Sequence, residues 1–374
     1  MPLPAPNTLA VIGAGPVGLE AALAALDRGF DVQVLEQGEV GSHPLAWGHV
    51  RMFTPWRMNL GKHSRAHLEA AGWAAPEPET CPTGLELAER YLQPLAHLPE
   101  LAGRIHPFTQ VVQASRHGLL RGEGSDAGTR HTRPFRLLVR DQGGRESFHH
   151  AFSLVDASGV YANPDWAGTG GIPARSELYL RPQLACHVED VLGLDREKYA
   201  GRRTVVIGEG TFAATTVAAL ARLADEAPGT TVAWVTRASA AEIFPAAEHD
   251  PLPGRRELRQ RARALATGAH PAVAHVGGAE VEEFEFNSAT HRYRVILATG
   301  EETRTEEADR VIVNVGFGPD ETLCRELEED EPQFFTLGHG PHGHEPDFLL
   351  ETGYRQVGDA VARLADGMRG GGMT

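Results

Sequence analysis

The sequence predicts an α/β protein built from two Rossmann-like dinucleotide-binding domains, and two glycine turns and the chain length predict it. The first turn, Ile12-Gly13-Ala14-Gly15-Pro16-Val17-Gly18, lies between an apolar run, Leu9 to Ile12, that reads as a buried parallel strand, and an alanine-rich helix, Val17 to Leu26. The second, Gly208-Glu209-Gly210-Thr211-Phe212-Ala213, lies between the strand Thr204 to Ile207 and the helix Ala214 to Ala224. At 374 residues the chain exceeds the roughly 250–300 residues that one hydrophobic core serves, so two domains are expected.

Each glycine of the first turn has its own task. Gly13 permits the tight turn, Gly15 lets backbone approach a pyrophosphate, and Gly18 lets helix and strand pack closely. After Pro16 the helix begins at Val17, so its free N–H groups and the positive end of its dipole face the phosphates. The next strand, Asp31 to Leu35, runs into Glu36 and Gln37. Glu36 stands at about the twenty-residue distance at which a carboxylate accepts hydrogen bonds from ribose hydroxyls, and it disfavours a 2′-phosphate.

At the second turn Gly208 and Gly210 repeat these tasks, Thr211 and Phe212 complete the turn, and Ala213 takes the third glycine's place, as the fingerprint allows. The following strand, Thr231 to Val235, ends in Thr236-Arg237 instead of an acid. An arginine can pair with a 2′-phosphate, so this site looks built for NADP(H). One turn with an acid and one with an arginine imply two different dinucleotides, FAD at the first and NADPH at the second. Hydride would pass from nicotinamide to flavin where the two sites face each other.

Composition narrows the function class. The net charge of −15 argues against general nucleic-acid or anionic-membrane binding. The three cysteines, Cys81, Cys186 and Cys324, are far apart with no C-x-x-C, which excludes a dithiol of adjacent cysteines and gives no disulfide framework. The first strand comes almost at once, with no secretory leader and no apolar run of spanning length, and the expected location is cytoplasmic.

Between the turns the signals are looser. His49 to Asn59 combines Arg51 and Arg57 with Phe53, Trp56 and an amide, Asn59. A loop here can lie against a ring system, with Arg51 or Arg57 on phosphate or an anionic flavin edge and Asn59 hydrogen-bonding the reactive edge; the alternative is aromatic core with surface arginines. Pro82 to Leu98 reads as a packing helix. Thr109 to Ser115, which contains Val111, Phe135 to Arg140, and Phe148 to Val155 read as strands, with a loop from Gly118 to Thr132. The third strand runs into the small-residue turn Asp156-Ala157-Ser158-Gly159, where backbone can again approach a cofactor. Tyr161 to Pro173, rich in Gly and Pro, marks a crossover between domains. Arg255, Arg256, Arg259, Arg261 and Arg263 form a basic face, solvated or drawing in phosphates.

These motifs together resemble the two-dinucleotide-binding-domain flavoproteins, the superfamily of thioredoxin reductases and flavin-containing monooxygenases, over nearly the whole chain. Asp156-Ala157-Ser158-Gly159 resembles the first A-T-G turn of that family, and Asp309 to Asp320, with Gly316 inside it, resembles its second. Phe335-Thr336-Leu337-Gly338 and Phe348 to Val357 resemble the C-terminal strand and helix that close over the flavin. The resemblance implies a three-layer ββα architecture with the NADPH domain, 166–308, inserted into a discontinuous FAD domain, 1–165 and 309–374. It also implies that Gly338 and His339 lie near the ribityl chain and that Phe348, Leu349 and Leu350 lie near the ring. Gly358-Asp359, despite its likeness to the family's G-D pair, falls inside the final helix.

Departures from the family decide among its branches. Its low-molecular-weight disulfide reductases use a cysteine pair or, in the bacillithiol disulfide reductase type, a single cysteine in the first glycine turn; here that position is Val17. Thiol–disulfide exchange needs a thiolate at the flavin. The monooxygenase branch carries F-x-G-x-x-x-H before its second turn, which Leu184 to Val188 matches only in His187. The resemblance therefore implies a single-component flavin monooxygenase, oxygenating a nitrogen or sulfur nucleophile through C4a-hydroperoxyflavin, with a small-molecule substrate, molecular oxygen and Asn59 as hydrogen-bond donor. The alternatives are an NADPH-dependent reductase of a disulfide, quinone or protein acceptor, and a non-catalytic flavin or nucleotide sensor. Dimers are common in the family, so a homodimer is a candidate assembly. His339, His342 and His344 would need three or four convergent ligands to hold a metal, and none is assigned. By the resemblance their loop passes beside the flavin, with His344 as a proton donor.

Overall fold

The computed structural model describes residues 4–124, 127–245, 247–339 and 348–370. The chain divides into two compact units, Met1–Ala162 with Pro319–Thr374, and Asn163–Gly318.

In the first unit, β1 (Thr8–Ile12) leads through the glycine turn into α1 (Pro16–Leu26) and then β2 (Asp31–Leu35). The helix α2 (Lys62–Ala70) and the short strand β3 (Ile105–His106) follow. Next come β4 (Thr109–Arg116), β5 (Phe135–Asp141) and β6 (Glu146–Ala151), an antiparallel meander, and then β7 (Ser153–Asp156). The strand Phe334–Thr336 adds itself to β7, giving a five-stranded parallel sheet in the order Phe334–Thr336, β7, β1, β2, β3.

Strand periodicity explains the three layers. Along β1, Leu9 and Val11 join a core with α1 and with the C-terminal helix Leu350–Gly370, while Ala10 and Ile12 join a second core with Val111, Leu137 and Val139 of the meander. Val155 and Leu154 of β7 divide in the same way. A parallel sheet buried on both faces therefore reads as a continuous apolar run. A buried Arg116–Glu331–Arg130 cluster ties the meander to the segment before the last strand, with ion-pair distances of 2.7 and 2.6 Å.

The second unit repeats the plan. β8 (Arg203–Ile207), α3 (Thr211–Glu226), β9 (Thr231–Val235), α4 (Pro253–Ala266) and β10 (Val273–Val276) precede a second meander, β11 (Glu280–Asn287), β12 (Arg292–Thr299) and β13 (Glu302–Ala308), and then β14 (Arg310–Val313). The parallel sheet runs β10, β9, β8, β14. Val206, Val232 and Trp234 face the helices, while Val205, Ile207 and Val235 face the meander.

Two expectations are corrected. The stretch Phe148 to Val155 is not one strand, because the chain leaves the meander at Ala151 and enters the parallel sheet at Ser153. The second unit does not end at 308: β14 pairs with β8 in register Arg310–Thr204 through Val313–Ile207, so the unit runs to Gly318.

Candidate dinucleotide sites

The first glycine turn is built by backbone. Gly13 has φ +96°, and a methyl group there would stand 2.6 Å from the Ala157 carbonyl oxygen, so only glycine lets β1 and the Ala157 turn lie side by side. A methyl group on Gly18 would stand 2.1 Å from the Gly13 carbonyl oxygen. A methyl group on Gly15, by contrast, would meet nothing within 4 Å, and this residue is the N-cap of α1 with no side-chain cap. The turn has room for a pyrophosphate at a helix N-terminus, with Pro16 at the first helical position.

Glu36, buried at the end of β2, accepts the N–H of Ala14 at 2.7 Å and that of Gly38 at 2.8 Å. The turn thus fixes the carboxylate at the end of β2, and each oxygen keeps a further lone pair. Gln37 beside it is exposed. Across the turn, the Ala157 N–H donates to the Ile12 carbonyl at 2.9 Å, the Ser158 N–H donates to the Asp156 carboxylate at 3.0 Å, and Gly159 has φ +74°. Burial pushes the Asp156 carboxyl above its ordinary range against the hydrogen bonds from Ser158.

The C-terminal elements come to the same place. A methyl group on Gly338 would touch Val17 at 3.8 Å, and one on Gly353 would stand 2.7 Å from Val17 Cγ2 and 3.4 Å from Phe348 Cζ. Gln356 holds the approach, accepting the Gly338 N–H at 2.9 Å and donating to the His339 carbonyl at 3.0 Å. Phe348 and Leu349 are half-buried there. His342 and His344 lie outside the described residues.

Three expected residues are otherwise engaged. Asn59 is corrected as a donor to a cofactor: its amide is fully buried, Nδ2 donates to the carbonyls of Thr54 and Pro55 at 2.9 and 3.1 Å, and Oδ1 accepts the Thr54 hydroxyl at 2.8 Å. Both N–H donors are therefore taken by the chain itself. The Val111 side chain lies in the core between sheet and meander. Arg51 is exposed, donates to the Cys81 carbonyl and lies 3.6 Å from Glu86.

The second turn follows the same backbone rules. Gly208 has φ +134°, and a methyl group there would stand 2.1 Å from the Asn314 carbonyl oxygen; Gly210, the N-cap of α3, is open. Gly316 has φ +122° beside Asp165. Phe212, at the start of α3 after Thr211, is exposed and meets Phe317 edge-on at 5.4 Å, with His187 on Phe317 at 5.4 Å. Arg237, expected at a 2′-phosphate, is paired with Glu209 at 2.7 Å. Glu209 and Gln356 escaped the motif reading, because neither has a set place in a glycine fingerprint.

Two of the three cysteines are held in the thiol form. Burial raises the Cys186 and Cys324 thiols, and Asp156, with its carboxylate 3.9 Å from Cys324, raises the latter further. Cys81 is half-buried against the Phe53 carbonyl at 3.7 Å. Among the described residues no group of histidines, cysteines and acids could hold a metal ion, and no helix is long and apolar enough to cross a membrane.

No protein-family model and no curated protein matches the chain by sequence. Solved structures match it along almost its whole length. The bacillithiol disulfide reductase Bdr (YpdA) from Bacillus cereus superposes with a TM-score of 0.69 at 18% identity, covering 96% of this chain and 98% of that one. The ornithine hydroxylase PvdA from Pseudomonas aeruginosa gives 0.64 at 16%, covering 96% and 99%. Thioredoxin reductase from T. acidophilum gives 0.57 at 15%, covering 98% of each. The fold is that of the two-dinucleotide-binding-domain flavoproteins. Within this flavoprotein fold, disulfide reductases and amine hydroxylases share one scaffold, so function must be argued from the site.

Proposed function

We propose that the chain is an FAD-dependent oxidoreductase that draws hydride from a nicotinamide dinucleotide, and that it is a single-component monooxygenase of a nitrogen or sulfur nucleophile. The observation that carries this reading is Val17. At the turn where a thiolate would serve disulfide exchange stands an aliphatic side chain packed on Gly338 and Gly353, and Cys186 and Cys324 are held as thiols by burial. Bound FAD would supply hydride acceptance and, when reduced, reaction with dioxygen. The chain's own part is to cradle the pyrophosphate on the N-terminus of α1, to hold a ribose on Glu36, and to keep water away with Val17 and Phe348. Arg237, the expected partner of a 2′-phosphate, is paired with Glu209 at 2.7 Å, so NADH and NADPH are to be tried side by side.

The fold shared with the ornithine hydroxylase from Pseudomonas aeruginosa and the L-lysine 6-monooxygenase from Pseudomonas syringae supports this reading. The likeness to the bacillithiol disulfide reductases from Bacillus cereus and Staphylococcus aureus favours the second, a reductase of a disulfide, quinone or protein acceptor. The test is turnover of flavin-loaded protein with NADPH or NADH, amines or thiols, and isotopically labelled dioxygen. Label in the product supports oxygenation. Anaerobic turnover of a disulfide, abolished when Cys81, Cys186 and Cys324 are all replaced by serine, would refute it; the monooxygenase reading expects the triple variant to keep its coupled activity.

A further inference from the structure

The second turn carries a carboxylate that the first does not. Gly13-Ala14-Gly15 corresponds to Gly208-Glu209-Gly210, and Leu35-Glu36-Gln37-Gly38 at the end of β2 corresponds to Val235-Thr236-Arg237-Ala238 at the end of β9. The backbone follows this correspondence: the Gly13 N–H donates to the Leu35 carbonyl at 2.8 Å and the Gly208 N–H to the Val235 carbonyl at 3.1 Å. In the first unit Glu36 reaches from the strand end to accept the Gly38 N–H at 2.8 Å. In the second, the N–H of Ala238, the counterpart of Gly38, donates at 3.0 Å to Glu209. An acid therefore stands at the same N–H in both units, delivered from the strand end in one and from the turn in the other. Thr236, at the Glu36 position, is engaged elsewhere: its hydroxyl donates to the Ala238 carbonyl at 2.6 Å and lies 2.8 Å from His275 Nε2.

We propose that Glu209 is the ribose-reading carboxylate of the second site and that it selects a free 2′-hydroxyl over a 2′-phosphate. The proposal rests on the reading of the Gly208 turn as a dinucleotide site. Two donors near the end of β9 could receive a 2′-phosphate, the Arg237 guanidinium and the Ala238 N–H, and the carboxylate of Glu209 holds both. An incoming phosphate must displace that carboxylate and then sit beside it, against like-charge repulsion. A 2′-hydroxyl does neither, since it donates to a spare carboxylate lone pair and leaves the ion pair in place. Arg237 then acts as a positioning residue that fixes Glu209.

The test is calorimetric titration of the purified, flavin-saturated chain with NAD⁺ and with NADP⁺, which differ only in the 2′-phosphate. Wild type is expected to bind NAD⁺ at least as tightly as NADP⁺. Glu209→Gln and Glu209→Ala should shift the ratio of the two dissociation constants toward NADP⁺ by about tenfold or more, the worth of one charge-assisted hydrogen bond. Adding Arg237→Ala to Glu209→Ala should remove most of that gain, because the freed guanidinium is what the phosphate would use. An unchanged ratio in both Glu209 variants, with binding retained, overturns the proposal and leaves the dinucleotide site standing. So does a wild-type preference for NADP⁺ above about tenfold. If neither nucleotide binds wild type or variants, the dinucleotide reading of the turn falls and the proposal falls with it.

Discussion

Alanine at Gly15 and alanine at Gly18 should fail in opposite ways, and the pair tests whether the first turn is a phosphate cradle. At Gly18 the added methyl group would stand 2.1 Å from the Gly13 carbonyl oxygen, well inside the roughly 3.3 Å of a close C–H···O contact. Helix and strand must therefore move apart by about an ångström in a buried core. At so short a contact such overpacking costs about 2–3 kcal/mol, the upper part of the usual range, and alanine's better helix propensity returns about 1 kcal/mol, so the net loss is about 1–2 kcal/mol. For a unit of this size that lowers Tm by about 2–8 °C. At Gly15 the methyl group meets nothing within 4 Å, and the backbone at φ −79°, ψ −176° suits any residue. Stability after flavin removal should therefore stay within about 0.5 kcal/mol of wild type. If the turn cradles a pyrophosphate, the methyl group instead intrudes on it, and FAD affinity should fall by at least about tenfold, or ~1.4 kcal/mol. The assays are thermal denaturation of flavin-free protein and FAD titration by flavin fluorescence. Wild-type FAD affinity in Gly15→Ala would refute the cradle, and a wild-type Tm in Gly18→Ala would refute the packing argument.

Two further outcomes concern stability. Glu20, buried on α1, accepts the N–H groups of His63 and Ser64 at 2.8 Å each and so caps α2, whose own N-cap, Gly61, offers no side chain. Glu20→Ala should cost about 2–4 kcal/mol, from one buried and one half-buried donor left without an acceptor, and should speed hydrogen exchange at residues 63 and 64; unchanged protection there would refute the capping role. His149 on β6 is held down to about 4 by burial and then by the like charges of His106 and His150. The unfolded chain takes up this proton near the ordinary 6.5 and the folded chain only near 4, so stability should fall as pH drops from about 6.5 to about 4. His149→Gln should flatten that part of a Tm-against-pH curve, and an unaltered slope would remove His149 as its source.

What the sequence discloses follows from which interactions are local. Both glycine turns were legible because their tasks are set by backbone geometry within a few residues, as the φ angles of Gly13 and Gly208 show. The apolar runs of β1 and β8 were legible because a strand buried on both faces needs apolar residues throughout. The break at Phe152 was not, since residues on either side of it are buried in strands of different sheets and the periodicity carries no mark of the change. Nor was the fate of Asn59: its residue type suits a flavin edge, but its amide is held by Thr54 and Pro55, and short-range turn closure of that kind leaves no distinctive spacing. The limit of the second unit depends on a pairing between Arg310–Val313 and Arg203–Ile207, about a hundred residues apart, which local pattern cannot disclose.

The position of an acid in a fingerprint is a weaker guide than the N–H that the acid serves. At the end of β2 and at the end of β9 the chain presents the same donor, the amide two residues past Glu36 in one unit and past Thr236 in the other. A carboxylate can reach it from the strand end or from the middle residue of the glycine turn, because β-strand and turn lie side by side where Gly13 bonds Leu35 and Gly208 bonds Val235. Ala14 leaves the first turn with no side chain to compete, so Glu36 takes the donor; in the second turn Glu209 takes it, and Thr236 is free to bond Ala238 and His275. A reading by strand-end residue alone finds an arginine and concludes a phosphate site. Tracing the donor to its acceptor finds that arginine already paired, and makes Glu209 the residue to substitute when the choice of dinucleotide is tested.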